Sequence, residues 1–135
     1  MSLFYVAQLF FEKKADLFFV KWHQVRGYYS DQFWTVFFSD QLFKAYFFVK
    51  AQGRVDPAHK QMTYGLPFSF LKHDWKLYQF ENLQQAHKQM YDIDIALKTG
   101  GSSAKREVNI GINITGIGFN VNGGLRQDGD RKSVV

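Results

Sequence analysis

The sequence predicts an all-α fold, a bundle of about five helices. Three observations carry that expectation. Leu83, Ala86, Met90, Ile93 and Leu97 recur in alternating steps of three and four, which holds one apolar stripe toward a core. Helix starts are written at Ser30-Asp31, an N-cap with an acid in the first turn, and at Asp56-Pro57, an N-cap followed by proline at the first helical position. Glycines at 27, 53, 65, 100 and 101 then punctuate the chain where helices should stop.

In chain order, Leu3 to Lys13 reads as a short helix and Asp16 to Arg26 as a second, ended by Gly27. A long helix follows Ser30 and runs to about Gln52. Its apolar residues, from Phe33 and Trp34 through Phe47 and Val49, cover more than one face. A helix coated in this way is either central or packs on both the core and another chain. Asp56-Pro57 opens a short helix that ends near Gly65. Pro67 opens the next, since proline's missing N–H is unpaired in the first turn anyway. Together Pro57 to Tyr78 resemble a helix-turn-helix, with Lys72, His73 and Lys76 on the second helix but no Arg, the usual reader of guanine edges. Plain packing of three helices is the commoner reading of such a segment. The striped helix then spans Phe80 to Leu97.

The 135 residues suit one domain with a real core, and 46% hydrophobic residues with fifteen Phe exclude a disordered chain. A formal charge of +5, scattered rather than blocked, permits weak attraction to nucleic acid without demanding it. No cysteine is present, which excludes disulfides, thiolate metal sites and a Cys nucleophile, and fits a cytoplasmic location. Met1 is followed by no basic region or cleavage-like site of a signal peptide. The apolar window Phe33–Val49 contains Asp40 and Lys44 and falls short of the ~20 residues a spanning helix needs.

The stretch from Gly65 to Gly100 also carries a resemblance. Gly65-Leu66-Pro67-Phe68, the break at Leu77-Tyr78-Gln79-Phe80 and the run Asp94-Ile95-Ala96-Leu97-Lys98-Thr99-Gly100 resemble, in order and spacing, the C-terminal domain of the bacterial DNA polymerase III delta subunit. The similarity extends over Leu3 to Gly100. It implies an all-helical collar domain of the clamp loader, acting in DNA replication by docking delta into a pentameric ring with the gamma/tau and delta-prime subunits. It further implies that the intact subunit carries N-terminal AAA+-like domains beyond this chain, so the chain alone is expected neither to bind ATP nor to open the clamp. No cofactor and no catalytic group are implied. Gly65, Pro67, Phe68, Phe80, Asp94, Lys98, Thr99 and Gly100 are the family-motif positions, read as structural.

Family members place a Leu-rich helix after Lys-Thr-Gly, and here the sequence departs. Val108 to Val121 alternates like a strand and is dotted with Gly. Asp130 to Val135 reads like the translation of a sequencing-adapter read-through. The expected division is therefore a helical domain over 1–101 and an irregular tail over 102–135, in part non-native sequence.

No residue set reads as chemistry. His23, His59, His73 and His87 form no His-Glu-x-x-His motif, and the glycines at 111, 116 and 118 lack the Gly-Lys-Ser/Thr of a phosphate loop. Asp92 and Asp94, two apart on a helix, point to different sides, whereas Asp94 and Lys98 are four apart and can pair. The aromatic surplus fits core packing and, as a sharper expectation, a subunit interface. Phe38, Phe43 and Phe47 on the long helix and Met90 on the last are the candidate interface residues. A small helix-turn-helix DNA-binding protein is the alternative function.

Overall fold

The computed structural model describes residues 2–99, 114 and 116–118. Between residues 2 and 99 five α-helices are formed: α1 (Leu3–Phe11), α2 (Ala15–Val25), α3 (Asp31–Lys50), α4 (Phe68–Lys72) and α5 (Phe80–Thr99). Tighter 3₁₀ turns occupy Arg26–Tyr28, Pro57–Thr63 and Asp74–Leu77. Among the described residues there is no strand, and the fold is all-α.

The caps read from the sequence do their expected jobs. Ser30 accepts a hydrogen bond from the Phe33 amide at the start of α3 (3.1 Å), and Asp56 accepts one from the His59 amide behind Pro57 (3.2 Å). The end of α3 is less simple than a glycine stop. Gln52, with φ of 55°, already takes the left-handed position, and Gly53 follows at φ 75° while its amide reaches back to the Phe48 carbonyl. A Cβ on Gly53 would meet the Trp75 ring at 3.1 Å, so the glycine also lets that indole lie on the backbone. Gln52 bears the cost of the left-handed position. Gln52→Gly is therefore expected to raise stability by about 0.5 kcal/mol, read as a higher urea midpoint at unchanged slope.

α3 is the central helix. It packs most extensively on α5. Tyr46 meets Phe80 and Phe43 meets His87, so the two run antiparallel. The α5 stripe is seated as its spacing predicts at Leu83, Ala86 and Met90, all buried, while Ile93 and Leu97 are only half-buried near the helix end. On the other side of α3 an aromatic cluster fills the space to α1 and α2. Phe38 lies 5.0 Å from Phe10, 6.1 Å from Trp22 and 6.1 Å from Trp34, ring to ring. The Trp34 indole donates to the Arg26 carbonyl (2.9 Å), which fixes the turn between α2 and α3.

Two expectations for the middle of the chain change. Pro57–Thr63 is a 3₁₀ turn that touches α3 but has no buried residue, so little buried apolar surface supports an α-helix there. The helix expected from Pro67 to Tyr78 is split at His73 into the five-residue α4 and a 3₁₀ turn. The split puts Phe70 in the core and turns Trp75 onto Phe48, ring centroids 5.8 Å apart. A recognition helix long enough to lie in a DNA groove is thus not formed in this segment.

The expected strand over Val108–Val121 is also corrected. The described residues of that stretch, Ile114 and 116–118, are helical; its remainder, the tail end Asp130–Val135 and the Gly100-Gly101 stop lie outside the described residues. Ile114 and Ile117 are three apart, hence on one helical face, and both are buried in the same core as α1 to α5. Burial of that pair overrides local β-preference, which is itself largely a packing effect. The core therefore does not end at residue 101.

Candidate functional site

Over the packed interior, the outer faces of α3 and α5 leave a groove. Val36, Asp40 and Phe43 on α3, at spacings of four and three, share one face, with Thr35 and Ser39 beside them. His87, Tyr91 and Asp94 repeat the same spacing on α5. Because the helices are antiparallel, the two faces line one open depression of about 320 Å³. The same α5 face continues past His87 and Tyr91 into a second depression lined by Glu81, Gln84, Gln85 and Lys88.

The groove's chemistry is mixed. Asp40 pairs with Lys44 and Asp94 with Lys98, each at 2.9 Å through Oδ2 and each four residues apart. Lys44 also donates to the Tyr64 carbonyl. Asp94 Oδ1 is shielded from solvent and has no hydrogen-bond donor. Burial lowers the His87 imidazole's pKa, favouring its neutral form. Phe43 and Tyr91 remain 41% and 57% exposed, so the groove has aromatic lips.

Of the expected interface residues, Phe43 lines this groove and Phe47 is half-buried with its ring 6.3 Å from His59. Phe38 and Met90 do not belong to a surface. Both are fully buried, because α3 and α5 turn those faces onto each other and onto the aromatic cluster. Among the motif positions, Gly65 has φ of 95° and its carbonyl accepts from Gln41 Nε2 (2.7 Å). Pro67 stands at the N-cap position of α4, one place before the first helical residue and without a side-chain cap bond, and Phe68 is 71% exposed with Lys72 Nζ 4.8 Å from its ring centre. Phe80 opens α5 against Tyr46, Asp94 and Lys98 pair as the spacing predicts, and Thr99 bonds back to the Ile95 carbonyl (3.0 Å). Gly100 lies outside the described residues. Asp40, His87 and Tyr91 were not singled out from the sequence. The signal was present as the matching four-then-three spacing on two helices, but only their antiparallel packing puts the two faces together.

A second polar concentration surrounds Tyr78. Its hydroxyl donates to the Phe11 carbonyl, and Lys13 Nζ sits 4.4 Å from its ring centre, buried and without a hydrogen-bond partner. Lys13 holds a left-handed φ of 60° at the end of α1. Burial lowers the Lys13 ammonium to about 8, and burial, then the Asp74 charge, raise the Tyr78 phenol. Between about 8 and the ordinary lysine value of 10.5, the unfolded chain holds the Lys13 proton more tightly than the folded one. Stability should therefore rise with pH through that window, by about 1 kcal/mol once solvent screening is discounted. Tyr78 opposes this only where unfolded tyrosine ionises, near 10. Urea midpoints measured from about pH 7.5 to 9.5 should climb for the wild type and stay flatter for Lys13→Met.

No three His, Asp or Glu side chains among the described residues come together as metal ligands. No helix of the described residues is long and apolar enough to cross a membrane. Comparison with protein-family models, with curated proteins and with solved structures finds no match to this chain. The fold and groove define a class only, an all-helical module with an aromatic, partly acidic furrow on its outer face.

Proposed function

We propose that this chain is a subunit-assembly module of the clamp-loader collar type, delta-like, which docks onto gamma/tau and delta-prime partners during sliding-clamp loading and carries out no reaction itself. The observation that carries the reading is the outer face of the two long helices. Val36, Phe43, Tyr91 and Ile95 stay exposed there, although the core beneath them is already complete without them. Apolar surface grouped in this way, rimmed by charge, marks interaction sites. The ordered motif supports the finer identification. Pro67 does open a helix, the Leu77–Phe80 break does separate two elements, and Asp94 does pair with Lys98.

Phe43→Asp tests the reading. The side chain is half-exposed, so the variant should fold with a loss of about 1 kcal/mol or less, and should lose about tenfold or more in association with co-expressed clamp-loader subunits. Unchanged co-purification of the variant, or no association of the wild type, counts against the proposal. Salt-dependent binding of duplex DNA by the isolated chain would favour the helix-turn-helix alternative instead.

A further inference from the structure

We infer that the end of the molecule formed by the last turn of α3 and the turns packed on it binds single-stranded nucleic acid. Lys50, Arg54 and Lys76 hold phosphates there, and bases rest on the aromatic lining that Trp75 and Phe80 provide. This surface shares no residue with the groove lined by Val36 and Tyr91, so the inference goes beyond the assembly reading and does not depend on it.

The positive charge is unevenly held. Residues 44–78 carry six Lys and Arg against two Asp, a net +4, whereas residues 2–43 and 79–99 carry six against seven acids, a net −1. The fold gathers the basic segment onto the second half of α3. Lys44 donates to the Tyr64 carbonyl, the Phe47 ring lies 6.3 Å from His59, and the Phe48 ring lies 5.8 Å from Trp75. Both acids of the segment are engaged by a histidine, Asp56 by His59 (2.8 Å) and Asp74 by His73 (2.7 Å). Lys44 pairs with Asp40, but no carboxylate among the described residues lies within ion-pair distance of Lys50, Arg54, Lys60, Lys72 or Lys76. Lys50, Arg54 and Lys76 are exposed, so an arriving anion reaches them.

Aromatic rings lie beside these cations. Arg54, Trp75, Lys76 and Phe80 line one open depression of about 580 Å³, with Gln52 and Gln79 as neutral hydrogen-bonding groups and Glu81 as the one acid among its described residues. Lys76 Nζ is 5.8 Å from the Trp75 ring centre and Lys50 Nζ is 5.6 Å from that of Phe80. Unpaired cations interleaved with rings are what a single strand needs, since every nucleotide brings a phosphate and a flat base face. An acidic peptide would use the cations and leave the rings idle. A duplex keeps its bases stacked inside and has no such face to offer. A membrane surface would favour a protruding apolar edge over a depression.

Tryptophan emission gives the test its readout. Trp22 and Trp34 are buried and Trp75 is half-buried, so quenching by an added strand reports Trp75. The full chain titrated with an oligothymidylate of about 15 nucleotides should show saturable quenching. Raising the salt from about 50 to 200 mM should weaken binding about twentyfold, as three phosphate contacts on a single strand predict. Arg54→Gln and Lys76→Gln should each lower the salt slope by about 0.7 and the low-salt affinity by about fivefold. Lys21→Gln, on α2, should bind as the wild type does. Trp75→Phe should lose the quenching yet retain the labelled strand in fluorescence anisotropy, because a ring remains. No saturable quenching, unchanged binding by both Arg54→Gln and Lys76→Gln, or an equal loss in Lys21→Gln overturns the inference. So does equal binding of the matching duplex, of thymidine triphosphate, of polyglutamate or of phosphatidylserine vesicles, each of which would give the face to another anion. Because no sister subunit is used, a failed titration leaves the assembly reading standing. Strand binding with failed co-purification removes that reading and keeps this one.

Discussion

Phe38→Asp is expected to leave the chain unfolded in buffer, with no cooperative urea transition and a collapsed NMR dispersion. Phe38 has no solvent-accessible surface, and the rings of Phe10, Phe18, Trp22, Trp34 and Phe37 surround it. The substitution removes a packed ring and puts a carboxylate in its place. Loss of a buried Phe alone costs about 3–5 kcal/mol, and a carboxylate there must either stay charged without a partner or take up a proton. The sum matches a small domain's entire stability of about 5–15 kcal/mol. Phe38→Asp is therefore a folding variant, and a lost partner interaction in it says nothing about docking. Phe43→Asp is its proper counterpart, five residues on and on the open face of the same helix. A cooperative transition near the wild-type midpoint for Phe38→Asp would contradict the packing described for α3.

Gly118→Val is expected to cost about 2–3 kcal/mol, and Gly116→Ala nothing or a small gain. A Cβ at 118 would stand 2.6 Å from Phe10 Cε1, whereas one at 116 meets nothing within 4 Å. Phe10 cannot yield cheaply, being fully buried and wedged among Phe11, Phe18 and Phe38. The same geometry predicts the fate of a chain ended at residue 101. It loses Ile114 and Ile117 from the core, at about 2–5 kcal/mol for each buried isoleucine removed, and uncovers Phe10. Such a chain should be marginal or molten by near-UV circular dichroism. Full stability of the 1–101 chain would show that the core closes without them.

These two results also mark where the sequence was legible. The stripe from Leu83 to Met90, the Ser30 and Asp56 caps and the Asp94–Lys98 pair depend on residues within a turn or two of each other. Local spacing is enough to specify them, and they stand as read. Ile114 and Ile117 were misread because alternation and three-residue spacing coexist in the same few letters. Only burial in the core, which the few letters do not show, decides between them. Phe38 and Phe43 look alike in sequence, both on a helix greasy all round, and pattern alone could not sort core from face.

What the sequence determined by itself is the helical class and most of the breaks, since periodicity and punctuation act over a few residues; that α3 is the central helix was one of two readings its all-round apolar coat allowed. Which aromatic is core and which is lip, that Pro57–Tyr78 tightens into short pieces, and that Asp40, His87 and Asp94 share one depression were decided by tertiary structure alone. The reason is physical: burial and the meeting of two helix faces are properties of pairs of elements, and here the elements that meet are tens of residues apart.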